Sequence, residues 1–154
     1  MNILFVCTGN TCRSPMAAVI MESLAIENNL DVLIESAGIF AQNGENASIE
    51  AIEAVKKYGL DLNNHKSQQI TPELVDKSDL IIAMTEGHKM LLSQMAPEKT
   101  CTICELADLE GDIEDPYGGD LEDYERVCDS LYIALTQIAD KLMEIQENKE
   151  ETKN

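Results

Sequence analysis

Hydrophobic and polar positions along this 154-residue chain alternate between two periodicities, one suited to buried strands and one to helices. Residues 2–7 (NILFVC) form an almost continuous apolar run, the pattern of a strand covered on both faces as in a parallel sheet. After the loop TGNTCR, Ser14 offers an N-cap and Pro15 suits the first helical position, so MAAVIMESLAIE predicts a helix to about Asn28. Asp31–Ala37 predicts a second strand ending at Gly38. A turn-rich segment through Asn46 leads to a helix near Ser48–Tyr58, with Ile49, Ile52 and Val55 on one face and Gly59 closing it.

Beyond the loop DLNNHKSQQ, Thr71 and Pro72 repeat the cap-plus-proline signal for a short helix. Asp79–Met84 (DLIIAM) predicts a third buried strand, and Thr85 caps a helix to about Met95. Thr100–Cys104 (TCTIC) is a short β-branched run that predicts a fourth strand. From Leu121 a long helix places apolar residues at 121, 124, 128, 131, 135, 138, 142 and 145, the spacing of a face packed on a sheet. Strands alternating with helices predict an α/β fold, a single doubly wound domain over residues 1–147 with ligands at the carboxyl ends of its strands. The polar residues 148–154 are expected to form a disordered tail.

Charge narrows the function. The net charge of -18 and pI near 4.2 argue against nucleic acid or an anionic membrane as partner. From Glu105 to Asp129 eleven acids face one base, Arg126, as on a solvated surface. Five cysteines without dense spacing favour reduced thiols, and the first strand leaves no room for a signal peptide, so a cytoplasmic location is expected. His65 and His88, isolated in polar surroundings, read as surface residues. No cofactor and no metal are required, and the oligomeric state is open.

The chemistry gathers at the end of the first strand. A thiol at Cys7, facing loop amides and a helix N-terminus, is expected to have a lowered pKa and to be a nucleophilic thiolate. The amides between Thr8 and Ser14 can wrap phosphate oxygens, because Gly9 and Asn10 tolerate left-handed backbone angles. Arg13 adds a fork that grips two oxygens, and the Ser14 hydroxyl can donate to the Cys7 thiolate as a leaving group. Farther along, Asp115 among other acids can hold a proton for a leaving group and later activate water. Tyr117 is placed to wall the leaving-group slot.

The run CTGNTCRSP resembles the signature of the low-molecular-weight protein tyrosine phosphatase family. The resemblance extends to SAG at Ser36–Gly38, AMT at Ala83–Thr85 and DPYGG at Asp115–Gly119. It implies a four-stranded parallel sheet with helices on both sides, Cys7 as nucleophile, Arg13 as phosphate binder and Asp115 as general acid. Asn10 and Ser14 are implied as loop-ordering residues, beside Thr8, Gly9, Thr11 and Cys12 in the phosphate loop. Within the family the loop looks most like the bacterial branch that removes phosphate from protein arginine, because Thr11 stands where tyrosine phosphatases commonly carry an apolar branched residue. The expected partners are phosphorylated proteins or peptides, with phosphoarginine ahead of phosphotyrosine. Two other classes compete. An arsenate reductase on this scaffold would use further cysteines, but Cys101 and Cys104, read on one strand, point to opposite faces. A non-catalytic phosphoprotein-binding module is disfavoured by the complete set Cys7, Arg13, Ser14 and Asp115. Cys12, sharing the loop with Cys7, is a candidate for a protective disulfide that would make the nucleophile redox-sensitive.

Overall fold

The structure, a computed structural model, describes residues 1–154. β1 (Asn2–Cys7) lies inside a four-stranded, all-parallel sheet, between β2 (Leu33–Gly38) and β3 (Leu80–Ala83), with β4 (Thr100–Thr102) on the far edge. The order β2-β1-β3-β4 reverses direction between β1 and β3. At such a reversal the connections leave β1 and β3 in opposite senses, opening a crevice beyond their carboxyl ends. Cys7 is the last residue of β1 and stands at that crevice.

Alternation along β1 sorts the core. Ile3, Phe5 and Cys7 face the larger apolar cluster, formed with α1 (Arg13–Glu27), α2 (Ile49–Lys56) and α6 (Leu121–Lys153). Leu4 and Val6 face the smaller one, with Leu74 and Val75 of α3 (Pro72–Lys77) and Leu92 of α4 (Glu86–Ser93). Helices therefore cover both faces, as the resemblance implied. Thr71 and Thr85 cap α3 and α4 through their hydroxyls, as predicted. No helix is long and apolar enough to cross a membrane.

Four elements differ from expectation for identifiable reasons. α1 begins at Arg13 with Cys12 as a cap that makes no side-chain bond, because the Ser14 hydroxyl is turned to Cys7 instead of to the helix. β4 stops at Thr102, whose hydroxyl caps a short helix α5 (Ile103–Leu106), so Cys101 is on a strand and Cys104 on a helix. On α2 the buried face is Ala51, Ala54 and Val55, while Ile49 is 76% exposed. The small alanines let α2 lie close to α6. α6 keeps Tyr124, Leu131, Leu135 and Ile138 buried and runs on to Lys153, through the residues expected to be disordered. Gln146 ties that end down, donating to the Asn29 carbonyl and accepting from the Asp31 amide, and the exposed residues that follow are mostly good helix formers.

Gly38 ends β2 and lets the loop after Cys7 pass close by. A Cβ there would lie 2.5 Å from the Thr8 carbonyl oxygen and 3.0 Å from the Asn10 nitrogen. Gly38→Ala should therefore displace the loop at a cost of about 1–3 kcal/mol. Urea unfolding should show that loss with the far-UV circular dichroism unchanged.

Candidate active site

The loop from Cys7 to Arg13 joins the end of β1 to the start of α1, and its shape is fixed by Asn10. This buried residue has φ +57°, which asparagine tolerates better than other non-glycine residues. Its Nδ2 donates to Ser14 Oγ at 2.8 Å and to Ser36 Oγ at 2.9 Å, and its Oδ1 accepts from the Gln68 amide at 2.9 Å. Its carbonyl accepts from His65 Nε2 at 2.7 Å, so that nitrogen carries the proton. The amides of Ile39 and Phe40 add bonds to the carbonyls of Cys7 and Thr8.

Cys7 is buried, with Sγ 2.8 Å from Ser14 Oγ. Asn10 donates to that oxygen, and the serine proton has two acceptors within reach, the sulfur at 2.8 Å and the Ala37 carbonyl at 3.5 Å, of which the sulfur is nearer. Burial pushes the Cys7 thiol up, and the Ser14 hydroxyl, the Ser14 and Asn10 amides and the Arg13 charge pull it down. The net direction is upward, opposite to the expected lowering, because desolvation of a thiolate outweighs its donors.

Arg13 is only 5% exposed and donates from Nη1 to the Ile113 carbonyl at 3.1 Å. Its Nη2 lies 3.5 Å from Asp115 Oδ2, and Asp115 is 55% exposed. Asp115 Oδ1 accepts from the Tyr117 amide at 3.1 Å, and Gly118 takes φ +80° to close the turn. The distant Asp115 is thus brought to the phosphate loop through Arg13.

A cleft of about 440 Å³ opens above these groups, lined by Cys7, Thr8, Gly9, Thr11, Cys12, Arg13, Asp115 and Tyr117, all singled out in the sequence. Asn10 and Ser14 are behind it, so they reach a ligand only through backbone amides. Phe40, Gln42 and Glu45 also line it, and nothing in their local pattern marked them. Phe40 and Tyr117 are 77% and 83% exposed. Both histidines, read as surface residues, back the loop instead: His65 holds Asn10, and buried His88 lies 2.9 Å from the Thr8 hydroxyl. The signal for His88 was its place three residues after the Thr85 cap, at the crevice end of β3.

The five thiols are free, and Cys12 Sγ contacts Ser48 Oγ and Tyr124 Oη at 3.5 and 3.4 Å. Burial pushes Cys101 up to about 11 and Cys104 upward as well, and neither lines the cleft. No group of three or more His, Cys, Asp or Glu side chains is placed to hold a metal.

The family model described as low molecular weight phosphotyrosine protein phosphatase matches residues 2–151. The chain belongs to that family. It is accordingly a cysteine-dependent low-molecular-weight protein phosphatase with phosphoprotein substrates. A protein-arginine-phosphatase of Geobacillus stearothermophilus is 41% identical over 144 residues, which cover 91% of this chain and 95% of the relative. A probable low molecular weight protein-tyrosine-phosphatase, EpsP of Ralstonia nicotianae, is 38% identical over 131 residues, 84% of this chain and 87% of its own. Among solved structures, the YwlE arginine phosphatase as a C7S mutant with a phosphorylated active site serine superposes with a TM-score of 0.88 at 40% identity, covering 92% of this chain and 95% of that one.

The Ser14 bond lowers the thiol pKa, so its loss must raise it further. In Ser14→Ala the pH midpoint for alkylation of Cys7 by iodoacetate should move to more alkaline values than in the parent chain.

Proposed function

We propose that the protein removes phosphate from phosphoarginine in proteins, through a phosphocysteine on Cys7. The observation that carries this reading is the cleft wall itself: the hydroxyl-bearing Thr11 lies there with the carboxylates Glu45 and Asp115, surroundings suited to a guanidino leaving group. The relationship to a protein-arginine-phosphatase supports it.

Cys7 Sγ attacks phosphorus, its thiol proton passing to the Asp115 carboxylate, while the loop amides and Arg13 hold the non-bridging oxygens. Arg13 is already oriented by the Ile113 carbonyl, and a bound dianion takes over the Nη2 that now faces Asp115. The released carboxylate is then free to take the Cys7 proton. As the P–N bond breaks, Asp115 gives its proton to the departing nitrogen. In the second step water attacks the phosphocysteine, Asp115 takes a proton from that water, and the P–S bond breaks. The Ser14 hydroxyl, 2.8 Å from the sulfur, stabilises the departing thiolate.

A second reading, phosphotyrosine hydrolysis by the same steps, is favoured by one feature: the exposed rings of Phe40 and Tyr117 at the cleft suit a phenyl group. An arsenate reductase is not favoured, because burial raises Cys101 and Cys104 and the cleft does not include them. The five free thiols and the charge of -18 support a cytoplasmic enzyme that does not engage nucleic acid or membrane.

Measured kcat/KM on matched phosphoarginine and phosphotyrosine peptides should favour phosphoarginine. Thr11→Ile should shift that ratio toward phosphotyrosine by about tenfold or more. A parent chain that prefers phosphotyrosine would overturn the arginine reading. Asp115→Asn should lower kcat on both peptides by about 100- to 10,000-fold, as expected for lost general acid–base catalysis.

A further inference from the structure

His88 sits in the first turn of α4, 8% exposed, with both ring nitrogens engaged. Nδ1 is 2.9 Å from Thr85 Oγ1 and Nε2 is 2.9 Å from Thr8 Oγ1. The Thr85 oxygen already accepts the His88 amide at 3.2 Å, which leaves its own proton free to go to Nδ1. In the tautomer with the proton on Nε2, the ring donates to Thr8 and the Thr8 proton is left to point elsewhere. Thr8 follows the nucleophile directly and lines the cleft. The opposite tautomer would draw the Thr8 proton toward the ring and turn that oxygen's lone pairs on any bound anion, an arrangement an anion disfavours.

We infer that His88 is a positioning residue of the phosphate loop, holding the Thr8 hydroxyl so that its proton faces the cleft and serves as one more donor to the bound phosphoryl group. The inference rests on the phosphoryl-transfer reading of the cleft. The imidazolium form also donates from Nε2, so protonation of His88 keeps the Thr8 proton in place and adds positive charge beside the anion. Burial first and the Arg13 charge second hold the His88 pKa below the ordinary histidine value, against Asp115 and Asp112, which raise it. On its own helix Glu86 and Lys89 are charged, with Lys89 paired to Glu105. Of the elements packed on α4, β3 and β4 offer only the Cys101 thiol, and the 3-10 turn Pro97–Lys99 brings Glu98 and Lys99, the latter bonded to the Ser78 carbonyl. Oxyanion affinity should therefore rise as pH falls through the His88 titration.

Inorganic sulfate, a dianion throughout this pH range, tests the arrangement as a competitive inhibitor of phosphopeptide turnover between about pH 5 and 8. Thr8→Val and His88→Ala should each weaken sulfate about tenfold, the scale of one hydrogen bond to a charged group. The double variant should be no weaker than either alone, because both remove the same donor. His88→Gln can still donate to Thr8 and should restore part of the affinity while losing the parent's tightening at low pH. Additive losses, a Thr8→Val that binds sulfate as the parent does, or a His88→Gln that keeps the pH dependence would each overturn the inference. Should His88→Ala fail to fold, Thr8→Val and His88→Gln decide. A parent chain on which sulfate does not compete at all would instead remove the phosphoryl reading of the cleft, and the inference with it.

Discussion

The geometry at the end of β1 depends on one buried side chain, the amide of Asn10. Its backbone must stay left-handed for the loop to curl around the nucleophile, and its two ends bond to Ser14, Ser36 and the Gln68 amide. Glycine could adopt the angle but would leave the Ser14 and Ser36 hydroxyls and the Gln68 amide without their partner. Aspartate would present only acceptors and would draw the Ser14 proton away from Cys7. Asparagine alone among the common residues meets both demands, because it tolerates positive φ and carries a donor and an acceptor on one short stem.

The electrostatics of the cleft are local. Arg13 is the one cation in its lining, against Glu45 and Asp115, on a chain with a net charge of -18. At distances beyond about 10 Å the net charge of -18 offers no attraction to the phosphate group itself. Recognition must come from short-range donors: loop amides, the Arg13 fork and hydroxyls. The same balance governs the nucleophile, where burial raises the thiol pKa and the adjacent donors counter it only in part.

Much of this was legible in the chain. The strand run into Cys7 and the threonine caps at Thr71 and Thr85 follow from period and capping chemistry, and they give the element order directly. Cys7 and Arg13 stood out because a thiol ends a buried strand and one of only two arginines follows six positions on, whereas Asp115, one of 29 acids, stood out only through the DPYGG resemblance; the structure brings all three to one cleft. What failed was what depends on rotation and desolvation. Ser14 was read both as a helix cap and as a partner of Cys7, and only the second role is met, because sequence shows its position and not the direction of its hydroxyl. Ile49 looked like core because helical spacing does not reveal that two alanines set the contact face of α2. His65 and His88 looked exposed because their neighbours in sequence are polar, while their neighbours in space are a carbonyl and a hydroxyl of the phosphate loop. Phe40, Gln42 and Glu45 reach the cleft only because β2 ends beside β1, a fact of topology and not of local pattern.

The supports of the Asn10 loop lie in a particular order along the chain. Cys7 is made first, and the residues that shape its loop follow at 36, 65, 68 and 88, with Asp115 later still. A partly synthesised chain therefore carries Cys7 as an ordinary thiol in a loop that its later partners have not yet shaped. The cleft around Cys7, with its inward-facing amides and the Arg13 fork, exists only once those long-range contacts have closed.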